Sequence, residues 1–66
     1  MTVTVNGRTT ELGPGETVEM LLDQLGLAAP YALVERNGHP VERDHYGDTT
    51  LEDGDTIVVA RPIAGG

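Results

Sequence analysis

Thr2-Val3-Thr4-Val5-Asn6-Gly7-Arg8-Thr9-Thr10-Glu11-Leu12, followed by Gly13-Pro14-Gly15 and then Thr17-Val18-Glu19-Met20-Leu21-Leu22, is the stretch from which the fold class follows. Residues 2–5 alternate strictly, which puts Val3 and Val5 on one face of a half-buried strand. Asn6-Gly7 supplies the two positive φ angles of a type I′ turn, so the chain folds back at once into a return strand, Arg8 to Leu12. Gly13-Pro14-Gly15 ends the ladder, and Thr17 stands where the N-cap of a helix belongs. Val18, Leu21, Leu22 and Leu25 recur at i, i+3, i+4 and i+7, one apolar face, with Glu19 in the first turn and Gly26 as the stop. A chain this short needs that face for its core and has none to spare as a partner groove. A two-strand hairpin followed by a helix excludes a doubly wound parallel fold built from repeated strand–helix units.

Beyond the helix the pattern returns to strands. Tyr31-Ala32-Leu33-Val34-Glu35-Arg36 reads as the third, and a second Asn37-Gly38 turn leads to the short His39-Pro40-Val41-Glu42, where Pro40 marks an edge. Arg43-Asp44-His45-Tyr46-Gly47 reads as a single irregular or helical turn. Asp53-Gly54-Asp55 then turns the chain into Thr56-Ile57-Val58-Val59-Ala60. Ile57 and Val59 share one face of this last strand and Val58 and Ala60 the other, so it is expected to be central, or to meet a partner with its outer face. The reading is an α+β domain, with the helix laid across one face of a mixed sheet.

Composition narrows the chemistry. The chain has 66 residues, eleven acidic side chains against four arginines, and a formal charge of −7. Such a surface is repelled by phosphate backbones and anionic lipid, so nucleic acid and membranes are poor candidates as partners and a basic protein surface is favoured. No apolar run approaches a signal or membrane segment, and a cytoplasmic protein is expected. The chain lacks Ser, Cys, Lys and Trp. Thiol and serine-triad catalysis, and acyl carriage on a serine-linked arm, are thereby excluded. The absence of Lys also removes an amine that would capture an activated carboxylate of the same protein; a general bias toward Arg over Lys is the better account of it, and the two are compatible.

The sequence ends Ile63-Ala64-Gly65-Gly66, after Pro62 has removed a ladder donor. Residues 1–62 are read as the folded domain and 63–66 as a flexible tail. Two glycines against a terminal carboxylate leave its carbonyl carbon unhindered and the backbone slim, and four extended residues reach about 13 Å. The Gly66 carboxylate is therefore the candidate reactive group. Elsewhere the residues suggest little. His39 and His45 lack a third ligand at any metal-binding spacing and are read as surface or turn residues. Asp48, Glu52, Asp53 and Asp55 surround Gly54 without the calcium-loop spacing, and are read as a solvated turn that doubles as a docking patch for an arginine-rich partner. Arg36, Arg43 and Arg61 are expected to pair with carboxylates to little effect.

The hairpin–helix order, the Thr17–Leu22 pattern, Glu35-Arg36-Asn37-Gly38, Val41-Glu42-Arg43 with Tyr46, Asp53-Gly54-Asp55 and the Ile63–Gly66 end together resemble the ThiS-type sulfur carriers of thiamine biosynthesis, within the ThiS/MoaD ubiquitin-like family. Tyr46 departs from that pattern, which leads one to expect tryptophan, as does Pro62. The resemblance covers nearly the whole chain and implies a β-grasp fold with one main helix across a mixed sheet. It also implies a protein that is not itself an enzyme and binds no cofactor. A ThiF-type, E1-like adenylating enzyme would use ATP and Mg to convert the Gly66 carboxylate to an acyl adenylate, a sulfur donor system would turn that into a thiocarboxylate, and a ThiG-type thiazole synthase would take the sulfur. Gly65 and Ala64 would keep the tail slim. Ile63, Val58 and Ala60 would dock the partners. Two alternatives stand beside this: a related carrier serving molybdopterin, cysteine or secondary-metabolite sulfur, and a ubiquitin-like docking module or modifier without sulfur chemistry.

Overall fold

The computed structural model describes residues 1–27 and 32–60. Five strands, β1 (Thr2–Val5), β2 (Arg8–Glu11), β3 (Leu33–Arg36), β4 (His39–Val41) and β5 (Thr56–Ala60), form one sheet in the order β2-β1-β5-β3-β4. β1 and β5 run parallel, and the other three pairings are antiparallel. One α-helix, α1 (Val18–Gln24), and one 3₁₀ turn (Arg43–His45) complete it.

The local signals act as their chemistry requires. Asn6 and Gly7 have φ of 50° and 82°, and Asn37 and Gly38 repeat the geometry at 53° and 83°. Both hairpins therefore close on two left-handed residues, whose twist matches that of the flanking strands. Thr17 is extended, and its hydroxyl accepts the Met20 N–H at 3.2 Å, capping α1. The Val18 and Glu19 N–H groups donate to the carbonyls of Thr49 and Tyr46, so the 46–49 loop satisfies the rest of the helix start. Gly26, at φ 68°, ends the helix as expected.

Val18, Leu21 and Leu22 of the helix pack on Val3, Val5, Val34, Ile57 and Val59 of the sheet, with Leu12, Ala32, Tyr46 and Leu51 closing the core. Leu25, placed on the same apolar face by its spacing, is 38% exposed, because the helix has already reached its C-cap there. The third strand begins at Leu33; of the longer run read from the sequence, Tyr31 lies outside the described residues. β4 is an edge, as Pro40 requires.

Tyr46 is 8% exposed, and its hydroxyl donates to the buried carbonyl of Ala32 at 2.9 Å. Tyr46, where the resemblance led one to expect tryptophan, thus joins the core and satisfies the carbonyl of the residue that precedes β3. Tyr46→Phe leaves that acceptor without a partner and is expected to lower stability by about 1 kcal/mol, read as a shift of the urea midpoint at unchanged m-value.

Candidate functional site

Position of the tail-bearing strand

The strand that leads into the candidate tail is the third of five, paired on both sides. Against β3, Leu33 faces Ala60 and Glu35 faces Val58. Against β1, the Thr4 N–H donates to the Asp55 carbonyl and the Asn6 N–H to the Ile57 carbonyl, both at 2.9 Å. At Asn6 the backbone of β1 turns away, but the side chain continues the pairing. The Val59 N–H donates to Asn6 Oδ1 at 2.8 Å, and Asn6 Nδ2 donates to the Val59 carbonyl at 3.2 Å.

Ile57 and Val59 are buried, so period-two alternation turns Val58 and Ala60 outward; Val58 is 44% exposed. Leu33, beside Ala60, is 63% exposed. The two predicted docking residues thus share an outer face with a third apolar side chain that the sequence reading did not single out. Only the register, with Leu33 opposite Ala60, reveals it. Ile63, Ala64, Gly65 and Gly66 lie outside the described residues, as do Arg61, Pro62 and the boundary drawn between 62 and 63.

The acidic turn and the histidines

The acidic turn differs from its sequence reading. Gly54 turns at φ 89° as expected, yet Asp55 is buried, at 5% exposure. Its Oδ2 accepts Arg36 Nε and the Glu52 N–H, each at 2.8 Å, and its Oδ1 accepts Asn37 Nδ2 at 3.0 Å. Burial raises the pKa of this carboxyl, but the Glu52 N–H, the Asn37 amide and the Arg36 guanidinium outweigh it and hold the value below the ordinary 3.8. Asp55 is therefore an internal fastening between the β3–β4 turn and the start of β5, and not part of a solvated docking patch. Arg36 is likewise no idle surface cation, because its partner is buried. Asp48, Glu52 and Asp53 are exposed, as read.

His39 and His45 line one shallow groove of about 500 Å³ with Arg36, Asn37, Pro40 and Glu42. Among the described residues no three His, Asp or Glu side chains are placed to hold a metal ion, and no helix is long and apolar enough to cross a membrane.

Comparison with known proteins

The model of the ThiS family matches residues 3–66. The chain belongs to the ThiS family. The sulfur carrier protein ThiS of Escherichia coli is 32% identical over 66 residues, and each chain is covered in full. The crystal structure of a thiamine biosynthesis protein (ThiS) from Geobacter metallireducens is 36% identical, superposes with a TM-score of 0.85 and also matches over the whole of both chains. The mixed sheet with one helix is thus the β-grasp fold of ThiS. A thiazole synthase from Paramagnetospirillum magneticum is 33% identical over 66 residues; there the chain spans only about a fifth of the relative's length, 20%. The ThiS match includes Gly65 and Gly66, so the family pattern reaches the candidate reactive residues.

Proposed function

We propose that this ThiS-family chain is a sulfur carrier for thiamine biosynthesis whose Gly66 carboxylate bears the sulfur. The observation that carries this reading is the family match through residue 66, on a chain that aligns end to end with the E. coli sulfur carrier. In the first step a carboxylate oxygen of Gly66 attacks the α-phosphorus of ATP on a ThiF-type enzyme, and pyrophosphate leaves. A sulfur nucleophile at the sulfide oxidation level, from a donor system, then attacks the acyl carbon and displaces AMP to give the thiocarboxylate. The chain is a co-substrate in both steps. ATP and Mg belong to the activating enzyme.

Each residue of the tail has a part. Gly65 and Ala64 keep the backbone slim enough for a narrow channel. Ile63 grips a partner pocket, and Val58 and Ala60, with Leu33, offer the apolar face on which the partner rests. The similarity to a thiazole synthase supports a ThiG-type enzyme as the sulfur acceptor. The cytoplasm is the proposed setting.

The test is the intact mass of the protein isolated from its own cells. A population heavier by the difference between sulfur and oxygen, mapped to the peptide carrying Gly66, is expected. An unmodified mass after incubation with ATP, Mg²⁺, sulfide and an extract of the same cells would overturn the proposal, as would Gly66 found joined to lysines of other proteins.

A further inference from the structure

We infer that Asn6 is a positioning residue for the reaction at Gly66, acting through the last rungs of β5; this rests on the function proposed above. In a parallel ladder, the residue of β1 that donates to Ile57 would offer its own carbonyl to the N–H of Val59, and a later residue would donate to the Val59 carbonyl. Asn6 makes the first contact, with its N–H on the Ile57 carbonyl at 2.9 Å. It cannot make the second with its backbone, because at φ 50° it is already inside the hairpin turn. Its carboxamide supplies both missing groups, an oxygen for the Val59 N–H at 2.8 Å and an N–H for the Val59 carbonyl at 3.2 Å. A side chain thereby stands in for strand that the turn has taken away.

The consequence falls at the root of the tail. Both polar groups of the Val59 backbone point toward β1, and Val59 precedes Ala60, the last described residue before 61–66. Without the carboxamide, the pairing of β5 on the β1 side ends at Ile57. With it, the strand is held on both sides up to the point where the chain continues toward Gly66, at a fixed place relative to Val58, Ala60 and Leu33. A partner that docks on that face and must receive the carboxylate at attack distance relies on this fixed origin. Small displacements of a reacting group cost large factors in rate.

Asn37 provides the control. It occupies the same Asn-Gly turn, and its carboxamide likewise binds β5, accepting the Thr56 N–H at 2.9 Å and donating to Asp55 at 3.0 Å, but at the start of the strand. Glycine tolerates the positive φ at either position, so each Asn→Gly change removes the carboxamide and keeps the turn. Asn6→Asp keeps the turn and the acceptor for Val59 while losing the donor.

The experiment measures thiocarboxylate formation by the full chain with the ATP-dependent activating enzyme purified from the same cells, together with amide hydrogen exchange. In Asn6→Gly the Val59 amide is expected to exchange at least about tenfold faster. The kcat is expected to fall about five- to tenfold with the KM for the carrier within about twofold, because the docking face is intact. Asn6→Asp should recover part of the loss. Asn37→Gly should lower the melting temperature and leave kcat and KM unchanged. An unaltered kcat in Asn6→Gly, or an equal loss in Asn37→Gly, overturns the positioning role alone. Failure of the wild-type chain to be converted overturns the proposed function and this role with it.

Discussion

Deleting Gly66, or adding one residue after it, is expected to lower conversion to the thiocarboxylate by at least about a hundredfold, with the melting curve of the domain unchanged. The size of the effect follows from the geometry of extended chain. One residue spans about 3.3 to 3.6 Å, as long as the whole attack distance between reacting atoms, so a tail one residue short or long puts its carboxylate outside the reacting arrangement. Removal of Gly66 also leaves Gly65 at the end, so the loss cannot be attributed to bulk. A domain that serves only to dock through its sheet face would tolerate both changes, and full conversion by either variant would defeat the assignment of Gly66. Circular dichroism on the same samples separates loss of chemistry from loss of fold.

The second large effect is on stability. Asp55→Ala is expected to cost about 2 to 4 kcal/mol, since it strips partners from Arg36, Asn37 and the Glu52 N–H at once; Arg36 regains some water, which keeps the cost below that of a fully buried pair. A domain of 66 residues has only about 3 to 10 kcal/mol in all, so the melting temperature should fall by about 10 to 25 °C. The pH dependence carries its own signature. The folded state lowers the pKa of Asp55 below the ordinary 3.8. Between the two values the unfolded chain binds the extra proton, so this stabilisation is complete above about pH 4 to 5 and drains away as the pH falls through the lower, folded value. The difference in stability between wild type and Asp55→Asn, measured by urea titration, should therefore narrow from pH 5 to pH 3. A constant difference would mean that Asp55 contributes through shape alone.

The sequence made local features legible and long-range ones opaque. Both Asn-Gly turns, the Thr17 cap, the Gly26 stop and the edge position of Pro40 each depend on one or two residues whose backbone preferences act wherever they occur. The centrality of β5 was readable because Ile57, Val58, Val59 and Ala60 leave neither face polar. Asp55 was misread because its partners, Arg36 and Asn37, lie on another hairpin and approach only through the β3–β5 register. Asp53, two positions away and exposed, is chemically the same residue. The second role of Asn6 was hidden by its first, since the turn accounts for an asparagine there without any need for its carboxamide. Leu33 was legible as a strand residue but not as a member of the outer patch, which exists only once Ala60 lies beside it. Of the candidate site, the Gly65-Gly66 end gives from the sequence an expectation of chemistry, from unhindered glycines, and its geometry lies outside the described residues.

The parallel pairing of β1 with a central β5 also bears on how the domain withstands force. A partner that grips residues beyond Ala60 and draws them into a channel pulls β5 along its own length. Both neighbouring ladders then resist in shear, so their hydrogen bonds must fail together, whereas an edge strand such as β4 is held by a single ladder. Under the proposed function, the strand that leads toward Gly66 is the one paired on both sides against such a pull.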